Sequence, residues 1–128
     1  MMRFWRRRSD RDAWRAALLH SAPRCLVPAR HARVAKARAL QAQRFAGDGI
    51  FCNAHMRPRD LRKHCALSDD VRKFLSGAID QLGLSARAFD RVVKLSRTIA
   101  DLDDAAIITT SHVAEAIQYR GLDRKLWQ

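Results

Sequence analysis

Two groups of side chains in this sequence have types and spacings that suggest chemistry. The first is Cys52, His55, His64 and Cys65, spaced C-x2-H-x8-H-C. Four such ligands match the number in a tetrahedral zinc site, but adjacent residues such as His64 and Cys65 chelate one ion poorly, and true zinc motifs keep their own spacings. The same residues fail as a cysteine nucleophile with a histidine base, because nothing nearby in the sequence would orient the imidazole. They read as packed or solvated side chains. No metal ligand and no catalytic residue is assigned.

The second group is Arg87, Arg91 and Lys94. Steps of four and three residues place them on one face of a helix. Arg87 falls in the first turn, where the helix dipole disfavours a cation. An arginine beside the unbonded N–H groups of a helix start makes a place for an anion. The plain alternative is a solvated face with Arg87 paired to Asp90 at i+3, worth about a few tenths of a kcal/mol. Missing are a G-x-x-x-x-G-K-[ST] loop, a dinucleotide fingerprint and an H-E-x-x-H pair, and the five glycines build no phosphate cradle. By itself this stretch is no ATPase, dehydrogenase or zincin.

The elements that position these residues follow from composition and pattern. With 128 residues and 48% apolar content there is material for one domain. No apolar run approaches the ~18 residues of a membrane helix, so no membrane partner is expected. Abundant alanine with few β-branched and aromatic residues favours helix over sheet. An odd count of three cysteines points to a reducing compartment, the cytoplasm. Arg6, Arg7 and Arg8 are followed by acidic residues and only a short apolar run, Ala16 to Leu19, which does not make an export signal.

Charge divides the chain. Residues 1–47 carry 12 Lys/Arg against 2 Asp/Glu, and residues 48–128 carry 13 against 11. A basic arm attracts any polyanion, so weak, sequence-independent nucleic-acid binding is expected of it. The 20 arginines against 5 lysines, alongside 21 alanines, also fit a GC-rich coding sequence, which weakens that inference.

Residues 1–30 read as a poorly ordered basic leader, broken by Pro23 and Pro28. A helical arm follows over 31–47, with Val34, Ala37 and Leu40 on its inner side and Gly47-Asp48-Gly49 as its stop. Residues 48–128 read as a small all-α bundle. It starts with a short helix near Pro58. A second helix has Ser68 as N-cap, a stripe of Val71, Phe74, Leu75, Ala78, Ile79 and Leu82, and Gly83 as its end. Two residues on, Ser85 caps a third, lined by Ala88, Phe89, Val92, Leu95, Ser96, Ile99 and Leu102. So short a link is expected to lay these two helices face to face. Ile107-Ile108 reads as a brief extended segment. Thr109 or Thr110 then caps a last helix closed by Gly121, with Leu126 and Trp127 folded back.

Several blocks of this sequence resemble a known family. They are Arg33 to Arg38 with Gln41, Arg44, Asn53 and Ala54, then Leu82-Gly83-Leu84-Ser85-Ala86-Arg87-Ala88-Phe89-Asp90-Arg91-Val92. Arg97-Thr98-Ile99-Ala100-Asp101-Leu102 and His112 to Arg120 complete them. Over about residues 31–127 the chain resembles the C-terminal domain of the Mg-chelatase-like AAA+ ATPases of the ComM or YifB type. The resemblance implies a helical lid, which in full-length relatives follows an ATP- and Mg²⁺-binding core in a hexameric ring. It also implies that Arg87 is the second-sensor arginine that reads nucleotide phosphate, with Arg91 and Lys94 as a supporting basic stripe. Full-length relatives of this type are ATP-driven DNA-processing motors of natural transformation.

Two departures stand out. Both Walker motifs are missing, and Arg57 occupies a position where relatives offer a small hydroxyl residue. The expectation is a truncated orphan lid with no cofactor and no activity alone, docking on an AAA+ core or an intact relative. The alternative is a small basic DNA-binding protein, disfavoured by the lack of interleaved aromatics and of helix-turn-helix spacing.

Overall fold

A computed structural model describes the backbone of residues 26–126 and the side chains of 28–120. The leader, and Trp127 with its expected fold-back, fall mainly outside these residues. Five α-helices run through it: α1 Leu26–Arg44, α2 Pro58–His64, α3 Asp69–Leu82, α4 Ala86–Leu102 and α5 Thr110–Leu126. A single 3-10 turn, Asn53–His55, precedes α2, and no strand occurs among the described residues. The all-α bundle expected from composition is what forms. Contacts divide the chain into units meeting between Arg33 and Val34, and every site below lies in Val34–Gln128.

Helix α1 begins five residues before the expected His31 and runs through Pro28. A proline in the first turn gives up an N–H that has no intrahelical acceptor anyway, so Pro28 does not break it. Its inner side also differs. Ala37, Gln41 and Phe45 are buried, whereas Val34 is exposed. The polar Gln41 is drawn inward because its side-chain oxygen accepts from the Asn53 amide at 3.2 Å.

Gly47 (φ +84) and Gly49 (φ +69) turn the chain after α1, in the left-handed region that glycine enters without strain. Ser68 caps α3 by accepting from the Val71 amide, and Gly83 (φ +60) closes it, as expected. Only Val71 and Leu75 of the α3 stripe are buried, and Phe74 and Leu82 remain largely exposed.

Helix α4 is the centre of the bundle. Val92, Val93, Ile99 and Ala100 bury against Ile108, Val113 and Ala116, with Met56, Leu61 and Leu75 in the same core. Its main partner is α5, and α3 packs more on α5 than on α4. The expected face-to-face packing of α3 with α4 across the two-residue link is thus the lesser of the two helix contacts that α3 makes. Ile107 and Ile108 form an irregular loop rather than a strand, with Ile108 buried and Ile107 exposed. Thr109 precedes α5, and His112 Nδ1 accepts from the Thr109 amide at 3.1 Å, the role a glutamate plays in a capping box. Gly121 does not end α5, which continues to Leu126. A lone glycine costs about 1 kcal/mol in a helix and is tolerated.

Candidate functional site

Arg87 is the second residue of α4 and is exposed. Ser85 sits at the N-cap with extended backbone, but its hydroxyl caps nothing. The Ala88 amide donates to the Ser85 carbonyl at 2.9 Å, so the first turn offers fewer free donors than the four of an ideal helix end. No hydrogen bond among the described residues takes up the amides of Ala86 and Arg87. No ion pair joins Arg87 to Asp90 or to any other described carboxylate. Arg91, one turn along, is exposed as well. Lys94 is half-buried and donates from Nζ to the Ala54 carbonyl at 3.3 Å. The three cations share a face, spread over about 10 Å of helix axis. Two of them are open to solvent, and the third is tethered to the 3-10 turn.

Two turns beyond Lys94 the same helix carries a buried polar cluster that apolar periodicity does not reveal. Asp101, on the inner side of α4, accepts from Arg44 Nη1 (2.9 Å), Asn53 Nδ2 (2.9 Å) and Arg97 Nε (3.1 Å). Arg97 also donates to the carbonyls of Ala105 and Ala106, holding the α4–α5 loop. Burial alone would raise the Asp101 pKa. The hydrogen bonds from Arg44 and Asn53 and the charge of Arg97 outweigh it and hold the carboxyl below its ordinary range. The Asp101 hydrogen bond correspondingly raises Arg44. The cluster fixes the end of α1, the 3-10 turn and the α4–α5 loop to the helix that presents Arg87. The available signal was Arg97-Asp101 at i, i+4 within an apolar stripe.

The four metal-type residues do not converge. Cys52 Sγ lies 3.6 Å from His55 Nδ1 on the 3-10 turn. His64 meets Asp48 at 2.9 Å and sits edge-on to Phe45. Cys65 is buried beside Met56. No group of three or more His, Cys, Asp or Glu side chains that could hold a metal occurs among the described residues. Asp48 also pairs with Lys63 at 3.0 Å, and hydrogen bonds from Lys63 and then His64 hold its carboxyl low. At α2, the Asp60 carboxylate accepts the Arg57 amide at 2.9 Å, while the Arg57 side chain caps nothing where a hydroxyl would.

A small helical bundle whose central helix opens on an exposed arginine is the class of protein that these residues define. Residues 28–120 match the family described as magnesium chelatase, subunit ChlI C-terminal, and the chain belongs to that family. It is similar to the uncharacterized protein YifB of Escherichia coli K12, 43% identical over 74 residues, 58% of this chain and 15% of the relative. Competence protein ComM of Haemophilus influenzae is 42% identical over 94 residues, 73% of this chain and 18% of the relative. YifB of Salmonella typhimurium is 42% identical over 74 residues, 58% of this chain and 15% of the relative. The matching segment thus spans less than a fifth of these curated relatives. No solved structure matches. No helix among the described residues is long and apolar enough to cross a membrane.

Proposed function

We propose that residues 48–128 are the lid of a Mg-chelatase-like AAA+ ATPase, with the helix that starts at Leu26 as its arm and residues 1–25 as a basic leader. In this reading the lid works in the cytoplasm and docks on an AAA+ core that supplies Mg²⁺ and ATP, as part of an ATP-driven DNA-processing ring. Arg87 reads the nucleotide phosphate, and Arg91 extends the positive face. By themselves these 128 residues turn over no ATP, because nothing in them grips Mg²⁺ and a γ-phosphate together.

The observation that carries the reading is the state of Arg87. It is exposed at the start of the central helix, with no carboxylate partner among the described residues and with the helix dipole against it. A guanidinium kept this way is available for a charge-assisted, two-pronged contact with phosphate. The test is a chimera in which the part of this chain that matches the Haemophilus influenzae relative over 94 residues replaces its counterpart there. The chimera with Arg87 is expected to hydrolyse ATP, and Arg87→Ala to lower the rate at least about tenfold while the assembly, measured by light scattering, persists. Equal turnover in both would remove Arg87 from the mechanism.

A further inference from the structure

A groove of about 550 Å³ opens between α2, the α2–α3 link and α4. Its floor is apolar: Leu61, Leu67, Phe89 and Val93. Leu67 and Phe89 are only partly buried, so they keep apolar surface facing the opening. Its charges stand at the edges. Arg62 and Arg72 come from the α2 and α3 sides and Asp90 from α4. No ion pair joins either arginine to a carboxylate among the described residues, although Asp90 lines the same groove. The neighbouring Arg and Lys side chains are occupied, Arg57 before α2 and Arg59 within it by Asp60, and Lys63 by Asp48.

We propose that this groove docks an acidic amphipathic helix of another polypeptide, its apolar face on Leu67, Phe89 and Val93 and its carboxylates on Arg62 and Arg72. The volume lies in the range that holds several apolar side chains. Helix-in-groove recognition uses this pairing of an apolar floor with a charged rim. Complementary charge then sets orientation: the two arginines attract carboxylates along one edge, while Asp90 repels them along the other. A nucleic-acid strand fits poorly, since the floor offers its phosphates nothing and Asp90 opposes them. The groove is defined without reference to Arg87, so this proposal stands or falls apart from the phosphate-reading role.

The test is fluorescence anisotropy on the full chain with three labelled probes. One is a helical peptide with leucine at i, i+4 and i+7 flanked by glutamate. The second has the same composition with its leucines dispersed, and the third is a single-stranded oligonucleotide. The patterned peptide is expected to bind at least about tenfold tighter than the dispersed one. R62E/R72E should weaken it at least about tenfold, whereas K36E/K73E, the same change in net charge elsewhere, should alter it less than about twofold. R62Q/R72Q takes over if circular dichroism shows the charge reversal unfolds the chain. Equal binding of the two peptides, equal loss in the two double variants, or groove-dependent binding of the oligonucleotide alone would each overturn the proposal.

Discussion

Arg44 grips Asp101 with both terminal nitrogens of its guanidinium, and the two residues are 57 positions apart in the chain. Arg44 is the last residue of α1 and Asp101 lies one residue before the end of α4. Asp101 is fully enclosed and no buried polar side-chain atom among the described residues lacks a partner, so the cluster forms as a satisfied set. A set of this kind is weak in net stabilisation but costly to break, because removing one member strands the others.

Arg44→Ala is therefore expected to destabilise the chain by about 3 kcal/mol, read as a lowered midpoint in urea with an unchanged slope. The pH dependence follows from the lowered Asp101 pKa. The unfolded chain takes up the proton more readily than the folded one, so the stabilisation is complete above the unfolded value of about 4 and is lost as pH falls through the folded value. Asp101→Asn should flatten the part of the acid unfolding curve that this group contributes. An acid unfolding curve left unchanged by that substitution would show that the cluster contributes nothing to acid sensitivity.

Helix identity was legible because local signals agreed. Ser68 and Gly83 mark the ends of α3 and the structure obeys both, while of the stripe between them only Val71 and Leu75 are buried. Inner faces were less legible, because apolar periodicity cannot see a polar residue buried by a distant partner. Gln41 and Asp101 turn inward only because Asn53 and Arg44 meet them. The same blindness put Val34 on the expected inner side, where it is exposed, and left out Gln41 and Phe45, which are buried along with the expected Ala37. Arg87 could be singled out because its anomaly is local, a cation in a first turn, whereas the groove beside α2 exists only once α2, the α2–α3 link, α3 and α4 meet.

The two described cysteines should differ in reactivity. Burial pushes the Cys65 thiol up to about 11, leaving almost no thiolate at neutral pH, whereas Cys52 is partly exposed beside His55. In a Cys25→Ser background, an aromatic disulfide reagent is expected to label Cys52 at least about tenfold faster than Cys65. Comparable rates would mean that the core around Met56 and Cys65 opens far more readily than its packing implies.

Nucleic-acid binding, where it occurs, should depend on the leader. Residues 1–25 hold seven of the 25 Lys and Arg side chains. Binding carried by them is expected to be independent of sequence and to fall steeply with salt, as released counterions require. Removing residues 1–25 should flatten the slope of log affinity against log salt and leave the helical circular dichroism of residues 26–126 in place. An unchanged slope would assign the binding to the bundle itself.

Arg87 and Arg97, two arginines of the same helix ten residues apart, should differ sharply in what they contribute to stability. Arg87 is exposed and touches no carboxylate among the described residues, whereas Arg97 is buried and holds Asp101, Ala105 and Ala106. Arg87→Ala should leave the stability of the chain within about 0.5 kcal/mol, as for a surface position without structural contacts. It should even gain slightly, because a cation leaves the positive end of the helix dipole. Arg97→Ala should cost about 3 kcal/mol, since Asp101 loses a partner and two carbonyls lose their donors. Thermal melts of the two variants side by side make the comparison. A large loss in the Arg87 variant would mean that its side chain holds the helix start in place, and a residue needed for that is not free to read a phosphate.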